Sequence, residues 1–274
     1  VLPDDTTEEE RQMLFDAIHE SKEVERLYRE GMKKDRWIVP LFFQCGKIVE
    51  MNYEEQKISN QALQHVKDHR ADIIKKFADP AVYKSSDEPI SLFMAGSPGA
   101  GKTEISKSLV QRFKHKPVRI DADEIRDMLP GYTGDNAYLF QAASTKGVHI
   151  LFDHWHKQKL SIILDGTFAY ADALTNIERA LERGRKVIIY YIYQEPYTAW
   201  EFTKARESEE GRRVSKETFI RSFFLSRKNA QRAKDLFKDK VELNLIVKDY
   251  ENGVEGLNLN INQIDAYLDS MYTE

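Results

Sequence analysis

Residues 96–103 read Gly-Ser-Pro-Gly-Ala-Gly-Lys-Thr, with the apolar run ISLFMA before them and the helix-like run EISKSLV after. A loop of this composition between a strand and a helix restricts the possible folds more than any other stretch of the chain. Gly96, Gly99 and Gly101 let the backbone curl around an anion with its N–H groups pointing inward, and the positive end of the following helix adds to the same site. The pattern G-x-x-x-x-G-K-[ST] is met without a gap. Lys102 is expected to reach the β- and γ-phosphates of a nucleoside triphosphate, and Thr103 to offer its hydroxyl to Mg²⁺. Ser97, Pro98 and Ala100 complete the candidate phosphate loop. A glycine-rich turn without a ligand would need neither the lysine nor the threonine. The chain has no N-K-x-D sequence for reading guanine, so ATP is the expected nucleotide.

After the turn-rich segment KSSDEP (84–89), strand-like and helix-like runs alternate. The expected strands are ISLFMA, VRID, SIILDG, KVIIYYIY and VELNLIV, and the helical runs include 137–159, 172–183 and 216–237. Short apolar strands between helices suit a parallel sheet covered on both faces. The expected fold is α/β: a P-loop kinase domain with a doubly wound parallel sheet over residues 89–274, whose ligands bind at the carboxyl ends of the strands. Residues 1–88 are expected to form a mainly helical region. There, TTEEERQMLFDAIHESKEVERLYREG reads as a helix stopped at Gly31, and SNQALQHVKDHRADIIKKFADP as another that ends against Pro80. Between them, WIVPLFFQCGKIVEMNY reads as a short hairpin about Cys45-Gly46 or as an apolar wedge.

Carboxylates mark the ends of the next strands. VRIDADEIR puts Asp121 and Asp123 at the expected mouth of the site, where strand alternation would aim both the same way. Asp121 is then a candidate for Mg²⁺ or for substrate contact, and Asp123 the candidate base for a substrate hydroxyl. The competing reading makes an aspartate the cap of the helix DEIRDML. In SIILDGTF, Asp165 occupies a Walker B-like position after four apolar residues and would bond a water on Mg²⁺. Alternatively, Asp165 and Thr167 bind the acceptor.

Further along, TKARESEEGRRVS (203–215) is nearly devoid of apolar residues and is expected to be a mobile lid. Arg206 and Arg213 are its candidate contacts to a transferring phosphoryl group, with Arg212 a competitor. His149, Asp153 and His156 share one helical face, but without a fourth ligand nearby they are read as packed or substrate-facing rather than as a metal site.

Taken in order, GSPGAGKT, RIDADEIR, ILDGT and an arginine pair in an acid-rich stretch resemble the zeta-toxin family of kinases over roughly residues 90–240. The resemblance implies ATP-dependent phosphorylation of UDP-N-acetylglucosamine, with Asp123 as base and Arg206 and Arg213 on the triphosphate. It also implies restraint by an antitoxin. The family's usual E-G-T is Asp165-Gly166-Thr167 here, and a position that is often glutamate falls near His149. Both departures touch the acceptor side.

Related acceptors stay open on the residues alone: an antibiotic, a nucleoside, a small sugar or a polynucleotide 5′-hydroxyl. A formal charge of −4 disfavours the last. A regulatory NTPase without an acceptor is the alternative of another class. The acidic start, the absence of an apolar run near ~20 residues and the single cysteine make a cytoplasmic protein the expectation. Residues 1–88 either inhibit the kinase in cis or complete its fold.

Overall fold

The chain is described by a computed structural model over residues 43–44, 47–48, 51–211, 214–249 and 253–268. The helix expected before Gly31, and both Arg212 and Arg213, lie outside the described residues. Strands β1 (Phe43–Gln44) and β2 (Lys47–Ile48) pair antiparallel, so the first of the two readings for this stretch, a hairpin, is the one observed.

Two helices follow, α1 (Tyr53–Asp68) and α2 (Arg70–Ala78). Asn52 caps α1 through a capping box with Glu55, which satisfies one donor at each end of the box. The buried faces of α1 and α2 carry Ala62, Val66, Ile73 and Phe77.

The sheet has the order β4-β5-β3-β6-β7-β8, built from β3 (Ile90–Ala95), β4 (Val118–Asp121), β5 (Ile162–Asp165), β6 (Lys186–Gln194), β7 (Val241–Asp249) and β8 (Gly253–Asn258). The first five strands are parallel. Strand β8 was not anticipated and pairs antiparallel with β7. Its sequence, GVEGLN, carries two glycines and no apolar run, so it lacks the signature of a buried strand. An antiparallel edge strand needs no such run, because one hairpin supplies its partner.

The intervening helices are α3 (Lys102–Val110), α4 (Ala122–Arg126), α5 (Gln141–Gln158, after a 3₁₀ turn at Ala137–Phe140), α6 (Ala173–Leu181), α7 (Pro196–Glu210) and α8 (Lys216–Phe237). Alternate residues of β3 divide between two cores, as the pleat requires. Phe93 and Ala95 face the larger core, which includes Phe152, Trp155, Ile177 and Ala230 of the helices on that side. Leu92 and Met94 face a smaller core that is closed by Ile105 and Leu109 of α3. The burial of Val66 and Phe77 in the larger core makes α1 and α2 part of the same packing unit as the sheet.

Candidate active site

The carboxyl ends of β3, β5 and β4 lie side by side and carry Gly96, Asp165 and Asp121. Asp121 and Asp165 are register partners, so one carboxylate stands directly beside the other.

The glycine loop leaves β3 and enters α3 with Gly101 as its N-terminal flank at φ +80°. The amide of Gly96 donates to the Thr167 carbonyl at 3.2 Å, which ties the loop after β3 to the loop after β5. Gly99 is required by its neighbours as well as by its φ of +72°: a Cβ there would lie 1.9 Å from the Ala199 carbonyl oxygen and 2.8 Å from Thr203 Oγ1. Helix α7 therefore rests directly on the loop.

Lys102 is buried, and its ammonium donates to the Ser97 carbonyl at 2.5 Å. Burial pulls its pKa down to about 8; the charge of Asp165 opposes that shift and the charge of Arg206 adds to it. Arg206 thus acts on Lys102 from α7, on the face of that helix that Ala199 and Thr203 turn toward the loop.

The stretch expected as a mobile lid is helical in its first part. Thr203 to Glu210 is the second half of α7, and the helix stops at Gly211, φ +69°. The stretch is polar because α7 lies on the surface along most of its length, as the exposure of Glu201, Lys204 and Arg206 shows. An i,i+3 ion pair between Glu201 and Lys204 supports it.

The Asp-x-Asp pair is likewise rearranged. Asp121 ends β4 and caps α4, accepting from the Asp123 amide at 2.9 Å. Asp123 is already inside the helix, so strand alternation does not aim it. It is about one-third exposed and pairs with Arg126, whose guanidinium also donates to Gln141. The capping alternative holds for Asp121.

Arg119 was missed by the sequence reading and is the centre of the charge network. Its guanidinium donates to Asp165 at 2.6 Å and to Asp121 at 3.2 Å, and it also pairs with Glu124. Ser106, one turn into α3, donates to the same Asp165 oxygen at 2.6 Å. Asp121 is nevertheless raised to about 6, first by burial and then by the charge of Asp123. Only the position of Arg119 two residues before Asp121 hinted at this, since alternate strand residues share a face.

The loop after β5 holds Thr167, whose hydroxyl accepts from the Ala169 amide at 3.3 Å. Phe168 follows at φ +60°, buried, a conformation that non-glycine side chains adopt only when the surroundings impose it. Asn229 of α8 donates to the Phe168 carbonyl at 2.9 Å and clamps this turn.

His149 lies on α5 among Asp172, Arg179, Lys146 and Asp153, its pKa lowered mainly by burial. It is placed beside the region after β5 rather than in the Asp121–Asp165 pair. Asp153 pairs with Arg179, while His156 is buried edge-on to Phe152.

The donors next to the loop suit Mg²⁺, a hard cation that takes hydroxyl and carboxylate oxygens and keeps several waters. Asp121 and Asp165 stand side by side with one guanidinium, that of Arg119, between two carboxylates, and a divalent cation suits the negative charge left over. Among the described residues no group of three or more His, Cys, Asp or Glu forms a closed metal cage. A P-loop site does not need one, because the nucleotide phosphates supply ligands.

The zeta toxin family profile matches residues 74–255, more than half of the chain. The chain belongs to the zeta toxin family. The match begins inside α2 and ends within β8, so it takes in the whole parallel sheet and every described element of the site. The zeta toxin fold is also seen in three dimensions. The structure described for the PezAT chromosomal toxin–antitoxin system of the human pathogen Streptococcus pneumoniae superposes with a TM-score of 0.58 at 20% identity, over 73% of this chain and 82% of that one. A structure of AvrRxo1-ORF1:AvrRxo1-ORF2 with sulphate ions gives a TM-score of 0.49 at 15% identity, over 77% and 68% of the two chains. Among curated proteins none matches at the level of sequence. Among the described residues no helix is long and apolar enough to cross a membrane.

Proposed function

We propose that this zeta toxin family member is an ATP-dependent kinase that phosphorylates a hydroxyl of UDP-N-acetylglucosamine, toxic through loss of a cell-wall precursor. The observation that carries the reading is the convergence of the Gly96–Thr103 loop with Asp121 and Asp165 at adjacent strand ends, with Asp123 in the first turn of the helix that Asp121 caps. Kinases are the established activity of zeta toxin relatives, which supports phosphoryl transfer here. The loop amides and Lys102 bind the phosphate chain. Asp123, paired with Arg126, takes the acceptor proton as the hydroxyl oxygen attacks the γ-phosphorus and the bond to ADP breaks. Arg206, with Arg213 beyond the end of α7, neutralises charge on the transferring group. Thr103, Asp121 and Asp165 would hold Mg²⁺, directly or through its waters, and a bound Mg²⁺ supplies charge neutralisation on the phosphates. Thr167 and His149 are assigned to the acceptor side.

The toxin–antitoxin setting of the Streptococcus pneumoniae structure supports an antitoxin partner, and a cytoplasmic site of action remains part of this proposal. The burial of Val66 and Phe77 supports a fold-completing role for residues 51–78 and leaves cis-inhibition to the segment before them. The test is mass spectrometry of hydroxyl-bearing metabolites incubated with ATP, Mg²⁺ and the protein. A phosphate mass shift on UDP-N-acetylglucosamine that disappears with Asp123→Asn is the expected result. ATP hydrolysis that needs no acceptor and survives Asp123→Asn would instead identify a regulatory NTPase.

A further inference from the structure

The phosphate loop has a second lysine against it, from a part of the chain far from the motif. Lys248 stands near the carboxyl end of β7, two strands away from β3 across β6. Strands in a sheet are spaced by about 4.8 Å, so a backbone atom of β7 is roughly 10 Å from the loop's own strand. Only a long side chain covers that gap. β7 keeps its regular pairing with β6 through Gln194 and Lys248, the step in the β7–β8 register falling on β8, so strand alternation puts Lys248 on the same face as Ile246, the face packed against α3. The consequence is visible at Gly101: a Cβ built there would lie 2.2 Å from Lys248 Nζ and 3.2 Å from both Cδ and Cε. The ammonium and the end of its stem therefore lie on the α-carbon of the residue that precedes Lys102.

Two features separate this contact from ordinary packing. No carboxylate of the described residues pairs with Lys248, although lysines elsewhere on the same sheet and helices do find one, as Lys186 does with Glu242 at 3.0 Å. The position it occupies is also specific. Gly101 flanks α3, whose first amides would face an anion bound by the loop, and Lys102 leaves from the next residue toward Ser97 and Asp165. Lys248 approaches the same loop from the β7 side, so the two ammonium groups would flank a bound phosphate chain rather than duplicate one contact.

We infer that Lys248 is a nucleotide-binding residue that contacts the α-phosphate, the β7–β8 hairpin acting as the second wall of the nucleotide site. This rests on the reading of Gly96–Thr103 as a triphosphate loop, and it holds whichever hydroxyl is the acceptor. A lysine–phosphate contact in a partly enclosed site is a charge-assisted hydrogen bond. Its loss costs binding to every nucleotide that carries the α-phosphate, without touching the reacting end.

The experiment is titration of fluorescent ADP and ATP analogues into the full chain without acceptor, comparing the wild type with Lys248→Met, Lys248→Arg and Lys102→Met. Lys248→Met is expected to raise Kd about tenfold for ADP and ATP alike, and Lys248→Arg to stay within about threefold of the wild type. With an acceptor present, KM for ATP should rise while kcat at saturation holds. An unchanged Kd in a Lys248→Met protein that melts like the wild type overturns the inference. So does a loss confined to ATP, because that places the contact at the γ-phosphate. Should Lys248→Met unfold, Lys248→Arg and Lys248→Gln carry the same comparison, and a tenfold loss in both with unchanged melting contradicts a charge contact. A wild type that binds neither nucleotide removes the triphosphate-loop reading as well, whereas nucleotide binding without any phosphorylated acceptor leaves this inference standing and removes only the acceptor.

Discussion

Replacing Arg119 by methionine should destabilise the ligand-free protein strongly, and more at high pH than at low. The guanidinium is 12% exposed and lies between Asp165, 3% exposed, and Asp121, 17% exposed. Glu124 is 44% exposed, so water takes over most of its share and it is left out of the sum. Methionine keeps the stem and deletes the charge, leaving two buried carboxylates side by side in register. Removing one partner of a buried ionic group costs about 3–5 kcal/mol. For a domain of this size that is a fall in Tm of roughly 10 °C, or a shift of the urea midpoint by roughly 1 M. The pH dependence follows from the sign of the shift. Asp121 already titrates at about 6 with Arg119 in place, above its ordinary 3.8. A carboxyl whose folded pKa is raised weakens the fold as pH rises through that value, and the penalty is relieved as pH falls through it. Urea unfolding of both proteins in chelator at pH 8 and pH 5 is the assay, with the deficit expected to shrink by at least half at pH 5. An unchanged midpoint at pH 8, or an equal deficit at both pH values, would refute the reasoning.

The same shift predicts that Asp121→Asn, which preserves the cap on α4, stabilises the metal-free protein at pH 8 by up to about 3 kcal/mol and by about a third of that at pH 4.5, read from the same unfolding curves. His156 is buried with neither ring nitrogen hydrogen-bonded, and burial, followed by the charges of Arg185, Arg183 and Arg179, lowers its pKa to about 3. Protonation therefore works against the folded state below pH 6.5, and His156→Phe should flatten the acid side of a Tm–pH profile between pH 6 and 4. Gly99→Ala forces a methyl group into the Ala199 carbonyl at positive φ; a loss of about 2 kcal/mol and weakened nucleotide binding are expected, measured by melting and titration. Asn229→Ala removes the clamp on Phe168, costing about 1–3 kcal/mol and raising KM for the acceptor more than KM for ATP.

Local pattern reached furthest where an element is decided by its own residues. ISLFMA and VRID are β3 and β4 as read, and the helix from 216 to 237 is α8, because Ser215 caps it and its apolar face repeats with helical period. Helix α7 escaped because its middle and end are charged all round, and a helix lying on a loop needs no wide apolar stripe. Strand β8 escaped because its partner is β7 and not a second buried face. For the site, the glycines and Lys102 are bound to one local motif, whereas Arg119, Ser106, Asn229 and Lys248 act across the sheet on residues that sequence distance hides.

By itself the sequence determined that a strand–loop–helix cradle for a phosphate chain would form, that a parallel α/β sheet would carry it, and that carboxylates would follow at neighbouring strand ends. Those features arise from local backbone conformation and hydrophobic period, which a single segment encodes. The tertiary structure decided that Asp121 caps a helix that contains Asp123, that Arg119 holds Asp121 and Asp165 together, and that α7 and Lys248 both lie against the loop. The strengths of these contacts depend on burial and on charges brought within hydrogen-bond reach from distant segments, and both exist only once the sheet is assembled.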